Sequence, residues 1–173
     1  LALQNTIGNV NLTPEIALLV GNAFAYLVSP KGRFALTLVR VEEAAHGAYD
    51  FVFRPDRKLK FRPGQYLEWT LGLSHPDNRG NRRSFTIASS PTEDELRLGV
   101  KFYAEASAFK RALAAMRPGD EIYASQLAGN FVLPKNRKAK LAFIAGGIGI
   151  TPFRSMLQDL IDRGESREVV VLY

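Results

Sequence analysis

The chain has 173 residues, 46% of them hydrophobic, which is enough for one well-buried core and part of a second. It contains no cysteine, and that excludes disulfides and any iron–sulfur cluster ligated from within it. The net charge of +6 comes from scattered basic residues (Lys58, Lys60, Arg62; Arg79, Arg82, Arg83; Lys135, Arg137, Lys138, Lys140) with no long basic helix and no nucleic-acid signature, so nucleic acid is set aside and an anionic membrane surface or an acidic cofactor remains.

Leu1 is not an initiator methionine, no cleavable signal is recognisable, and the chain closes on the apolar run Glu168–Tyr173, where a strand should lead into a loop. It therefore reads as part of a longer protein. Residues 1–13 are polar and turn-rich. Thr13-Pro14-Glu15 is a helix start, with a hydroxyl cap, a proline in the first turn and an acid at the positive end of the dipole. Ile16 to Val28 is apolar all round, broken only by Gly21 and Asn22, and Ser29-Pro30-Lys31-Gly32-Arg33 stops it. Two readings stand. One is a buried or amphipathic helix in a cytoplasmic protein. The other is the last part of a transmembrane helix, with Lys31 and Arg33 following it on the cytoplasmic side of a bacterial inner membrane, although a span needs roughly 20 residues.

From Phe34 onward, segments rich in Val, Phe, Tyr, Leu and Thr recur between Pro, Gly, Asp and Asn breaks. They predict strands at 34–43, 49–54, 65–72, 82–88, 95–103 and 120–127, and hence a small antiparallel barrel or sandwich. A helix at about 106–116 carries Ala106, Phe109, Leu113 and Met116 on one face, and Arg117-Pro118-Gly119-Asp120 turns it into the next strand. After a charged connector the pattern becomes strand (141–145), glycine turn, helix (about 152–163) and strand (168–173), a βαβ unit that starts a parallel sheet.

Two stretches carry chemistry. In Arg83-Ser84-Phe85-Thr86 alternate residues share a face, so Arg83 and Phe85 point one way and Ser84 and Thr86 the other. A guanidinium for phosphate, a flat apolar ring and small hydroxyls lie within four residues. Gly146-Gly147-Ile148-Gly149-Ile150-Thr151-Pro152 follows an apolar strand and opens a helix. Its glycines let the backbone approach a diphosphate, Pro152 suits the first helical turn, and the helix dipole faces the anion. His46 and His75 fall in loops without metal-ligand spacing, so no metal site is expected, and no nucleophilic triad or carboxylate pair can be assembled.

In this order the two stretches resemble the signatures of the ferredoxin–NADP reductase family, Arg-x-Tyr-Ser/Thr and Gly-Gly-x-Gly-x-Thr-Pro. Phe61-Arg62-Pro63-Gly64-Gln65-Tyr66 is similar to the strand that precedes the arginine motif, and Ala128-Gly129-Asn130-Phe131 to the segment that closes the flavin domain. Val100–Ser107 is similar to the family's strand followed by Gly-x-x-Ser, with Ala104 in place of the glycine. The resemblance implies that Arg83 contacts the flavin phosphates, that Phe85 packs on the flavin without the tyrosine hydroxyl, and that Thr86, the catalytic candidate, hydrogen-bonds near N5. It implies a diphosphate contact at Ser107, which favours FAD over FMN, and contacts from Gly146, Gly147, Gly149, Thr151 and Pro152 to NADH or NADPH.

The expected architecture is therefore β barrel plus α/β. Residues 1–33 are an N-terminal segment with an apolar helix, which in the membrane reading resembles the last membrane helix of bacterial proteins related to the D and B subunits of ion-pumping redox complexes. Residues 34–134 form the FAD-binding barrel, and residues 137–173 the first βαβ of an incomplete nucleotide domain. The expected function is electron transfer between NAD(P)H and an acceptor through flavin. The alternative is a degenerate barrel kept as an interaction or regulatory module.

Overall fold

The structure is a computed structural model that describes residues 6–7, 10–11, 13–28 and 32–173. The chain divides into two units, Leu1–Lys31 and Gly32–Tyr173.

In the first unit β1 (Thr6–Ile7) pairs antiparallel with β2 (Val10–Asn11), and α1 (Pro14–Val28) follows. Helix α1 begins where the Thr13 cap predicts: the Ala17 N–H donates to the Thr13 carbonyl at 3.0 Å, and the Ile16 N–H faces Thr13 Oγ1 at 3.5 Å. Leu18, Leu19, Phe24 and Leu27 are exposed along it. The membrane reading is corrected here. Fifteen residues rise about 22 Å, against about 30 Å of bilayer hydrocarbon, and among the described residues no helix is long and apolar enough to cross a membrane. The placement at an inner membrane is withdrawn with it. The Ser29-Pro30-Lys31 stop lies outside the described residues.

The second unit holds β3 (Phe34–Ala45), β4 (Ala48–Pro55), β5 (Tyr66–Thr70), β6 (Arg82–Thr86), β7 (Leu96–Lys101), α2 (Ala108–Ala115), β8 (Glu121–Ala128), β9 (Leu141–Ile144), α3 (Thr151–Asp162) and β10 (Val169–Leu172). Six of the strands form one antiparallel sheet in the order β6-β5-β8-β3-β4-β7. Period-two alternation explains the inner face: Leu36 and Leu38, Leu67 and Trp69, Leu96, Leu98 and Val100, and Ile122 and Ala124 are all buried, while their neighbours face outward. The sheet curls around this core, and α2 contributes Phe109 and Leu113, both fully buried.

The barrel expected from the sequence is not closed. Among the described residues no ladder joins the edge strands β6 and β7, because the chain leaves strand geometry after Thr86. One backbone bond, from the Ala88 N–H to the Arg97 carbonyl at 2.9 Å, ties the two edges instead. Ser89 Oγ adds a second tie by accepting the Arg97 N–H at 3.1 Å.

The remaining elements form a small α/β part. β9 and β10 pair in parallel, with Val169 opposite Leu141 and Leu172 opposite Ile144. Helix α3 covers one face of this pair, where Phe143 stacks on Phe153 at 4.4 Å beside Met156.

Candidate functional site

β6 lies at the sheet edge, and its register with β5 fixes where its side chains point. Arg83 is opposite Trp69 and Phe85 opposite Leu67, both fully buried partners, so Arg83 and Phe85 stand on the inner face. Ser84, opposite Glu68, and Thr86, opposite Tyr66, stand on the outer one. Phe85 is half-buried and meets Phe109 of α2 with ring centroids 5.8 Å apart. Arg83 is mostly buried, its guanidinium carbon 5.6 Å from the centre of the Phe109 ring.

The turn before β6 wraps this guanidinium. Nη1 donates to the carbonyls of Arg79 (2.8 Å), Gly80 (3.0 Å) and Arg82 (2.6 Å), and Nη2 to Asp77 Oδ1 at 2.9 Å. The other oxygen of Asp77 accepts the N–H of Ala108, the first residue of α2, at 3.2 Å. Ser107 caps that helix with extended backbone angles, its Oγ accepting the Lys110 N–H at 3.3 Å. A guanidinium and a helix N-terminus thus share one anion, which is the donor set that phosphate requires. Burial pushes the Asp77 carboxyl up, but the Arg79 N–H, the Arg83 guanidinium and the Ala108 N–H outweigh it and hold the group below its ordinary range.

The glycine segment takes a form that the sequence did not foretell. Gly147–Ile150 is a turn of 3-10 helix running straight into α3, with Gly146 ahead of it in extended conformation and Gly147 at φ +53°. A methyl group placed on Gly146, Gly147 or Gly149 would meet no protein atom within 4 Å. Internal packing therefore does not require glycine at these positions, and the bare backbone faces open space. Thr151 is the first residue of α3, with Pro152 next, and the Thr151 hydroxyl donates to the Ile148 carbonyl at 3.2 Å.

Beside this turn lies a cavity of about 230 Å³ whose lining includes Asp50, Ala88, Lys101, Gly147, Thr151 and Arg154. Arg83, Ser84, Phe85, Thr86 and Ser107 are not among its lining residues. The structure therefore gathers the candidates in two groups, one around Arg83 and the start of α2, the other around Gly147 and Thr151. Ala88, two residues beyond Thr86, reaches the second.

Residues with no motif signal hold the groups in place. Arg154 of α3 donates to the Ala88 carbonyl at 2.7 Å and forms a two-pronged pair with Glu93 at 3.0 and 3.2 Å. Ser155 Oγ donates to the Ser89 carbonyl at 2.6 Å. Gly99 in β7 is the docking point of the glycine turn, since a methyl there would lie 2.6 Å from Thr151 Cγ2 and 3.4 Å from Ile148 Cδ1. Gly99→Ala is expected to destabilise the chain by about 1–3 kcal/mol by forcing the turn off the sheet, measured as a fall in thermal midpoint. No change would mean that the turn does not rest on β7. The only foresight available was that a glycine inside a strand marks a close approach.

No family model matches the chain. It is 32% identical over 117 residues to the reductase component DmpP of phenol 2-monooxygenase from Pseudomonas sp. (strain CF600), covering 67% of this chain and 32% of that protein. It is 33% identical over 117 residues to an NADPH oxidoreductase of Mycobacterium tuberculosis, covering 65% of this chain and 30% of that one. Among solved structures it is similar to the cytochrome P450 reductase GcoB of Amycolatopsis, with a TM-score of 0.68 and 25% identity over 81% of this chain and 42% of that chain. It also has the fold of the flavohem-like FAD/NAD-binding domain of the nitric oxide dioxygenase from Vibrio cholerae O1 biovar El Tor, with a TM-score of 0.71 and 20% identity over 81% of this chain and 61% of that chain. The chain shares the fold of ferredoxin–NADP reductase-like FAD/NAD-binding modules and is similar in sequence to the reductases named above. It spans about a third of the length of the curated relatives it matches.

Proposed function

We propose that this chain is part of an NAD(P)H-linked flavin oxidoreductase, in which residues 34–134 bind FAD and residues 137–173 begin the nicotinamide-nucleotide domain. Electrons from NADH or NADPH would reach a separate acceptor. The observation that carries this reading is the anion shared by Arg83 and the α2 N-terminus. A relative named as a reductase component and another named as an NADPH oxidoreductase support it.

When bound, the flavin supplies the hydride and single-electron chemistry. The chain's own residues bind and orient. Arg83 offers phosphate a planar donor fork that lysine cannot copy. The N–H groups at the start of α2, with Ser107 as cap, add dipole and donors for a second phosphate, which is why FAD is preferred to FMN. Phe85 supplies an apolar ring steadied by Phe109. Ser84 and Thr86 present hydroxyls on the outer face, and Thr86 is the donor assigned to flavin N5. Gly146, Gly147 and Gly149 leave the backbone bare for the nicotinamide diphosphate, and Thr151 and Pro152 open the helix whose dipole faces it.

The chain should take up FAD, and Arg83→Ala should weaken its affinity about ten- to a hundredfold, the worth of a charged hydrogen bond, read by quenching of flavin fluorescence in a titration. Equal affinity in the two proteins, or no uptake by the unmodified chain, refutes the reading.

A further inference from the structure

The anion that Arg83 holds belongs to the chain itself. Asp77 bridges the two parts of the phosphate site, with Oδ1 on Arg83 Nη2 and Oδ2 on the Ala108 N–H. Oδ1 also accepts the Arg79 N–H at 3.0 Å, and Oδ2 lies 4.0 Å from the Arg79 guanidinium. Arg83 Nη1 is fully engaged by three carbonyls, so a phosphate that took hold of Nη2 would compete directly with this carboxylate.

The surroundings carry more positive charge than one carboxylate offsets. Lys110 stands on the first turn of α2 with its Nζ on the Lys101 carbonyl at 2.6 Å. Burial, and then the charge of Arg79, push its ammonium below the usual range. Lys101 and Lys110 both lie against the Tyr103 ring, at 5.6 and 5.4 Å. A doubly charged diphosphate matches Arg79, Arg83 and Lys110 better than a single carboxylate does.

The Asp77 side chain sits at the surface: His75, Pro76, Asn78 and Arg79 around it are exposed. The turn has its own closing bond, from the Gly80 N–H to the Asp77 carbonyl at 2.8 Å, so the carboxylate can swing away while the backbone stays on Arg83 Nη1.

We propose that Asp77 is a resident anion of the phosphate site, displaced when a ligand's phosphate group binds Arg83 and the start of α2, so that this one side chain limits the affinity of the site. The proposal rests on the flavin reading for the identity of the ligand, and on the Asp77 geometry alone for the displacement. Removing the carboxylate charge then strengthens phosphate binding, and a flavin without phosphate does not sense the change.

The test uses the 173-residue chain and Asp77→Asn, which keeps an acceptor oxygen for the Ala108 N–H. Asp77→Ser is the second variant should the first not fold. Inorganic pyrophosphate, FAD and riboflavin are titrated separately by calorimetry. The expected result is pyrophosphate and FAD bound on the order of tenfold more tightly by the variant, with riboflavin affinity unchanged. Pyrophosphate affinity that is unchanged or reduced in the variant overturns the displacement. Tighter pyrophosphate binding without FAD binding supports displacement and overturns only the flavin reading. Tighter riboflavin binding overturns the proposal, since the effect would not pass through phosphate.

Discussion

Trp69→Ala is expected to lose about 3–5 kcal/mol of stability, the range for truncating a large buried aromatic residue. Trp69 is completely buried in the middle of β5, between Arg83 on β6 and Ala124 on β8. Its ring meets Phe53 across the core at 5.6 Å, and its indole N–H donates to the Phe85 carbonyl at 3.3 Å. Truncation therefore leaves a cavity and removes a donor from the strand that carries the candidate flavin motif. Urea unfolding followed by circular dichroism measures the loss. Fluorescence cannot serve, because this is the chain's one tryptophan. The midpoint should fall with little change in slope, and Trp69→Phe should recover part of the loss by refilling the space while leaving the carbonyl without the indole. A cost below about 1 kcal/mol for the alanine variant would be that of a surface site and would deny that this sheet encloses a packed core.

Much of this architecture is visible along the chain because short strands with one buried face alternate strictly. Leu36 and Leu38, or Leu67 and Trp69, announce their face without knowledge of any partner. The strand ends shifted by at most two residues, since hydrogen-bond pairing and not composition decides where a ladder stops. Closure of the barrel was not legible. The run Ile87-Ala88-Ser89 looks strand-like, yet Ala88 spends its N–H on Arg97 and Ser89 turns a hydroxyl to the same residue, so the ladder ends at Thr86. The 3-10 turn at Gly147–Ile150 was equally hidden, because two glycines in four residues argue against any helix until Ile148 and Thr151 find Gly99 beneath them. Within the candidate site, the motif residues could be named from their order alone. Their partners could not. Asp77 lies six residues from Arg83 and thirty-one from Ala108, and only loop closure reveals that one carboxylate serves both.

Arg154→Met should have the second large effect, and its signature is the dependence on pH. Arg154 leaves α3 to grip both oxygens of Glu93 and the Ala88 carbonyl, while Ser155 holds the Ser89 carbonyl beside it. Arg154 is the charged clasp between the 88–93 segment, which follows the arginine motif, and the helix that follows the glycine turn. Burial pushes the Glu93 carboxyl up, but Arg154, the Ser90 N–H and Arg97 outweigh it, so the group titrates lower in the folded chain than in the unfolded one. Its contribution to stability is therefore complete above the ordinary value of 4.5 and disappears as pH falls through the lower, folded value. Methionine preserves length and apolar bulk but leaves a part-buried carboxylate without its main partner, at an expected cost of about 1–3 kcal/mol near neutral pH, with solvent access holding it below the figure for a fully buried pair. The gap between variant and parent should begin to narrow below pH 4.5 and close as pH falls through the lower, folded value, where Glu93 in the parent becomes protonated and Arg154 no longer has a charge to meet. Urea midpoints compared at pH 7 and in acid decide the matter. A gap of constant size would assign the whole effect to the Ala88 carbonyl and to packing, and none of it to the ion pair.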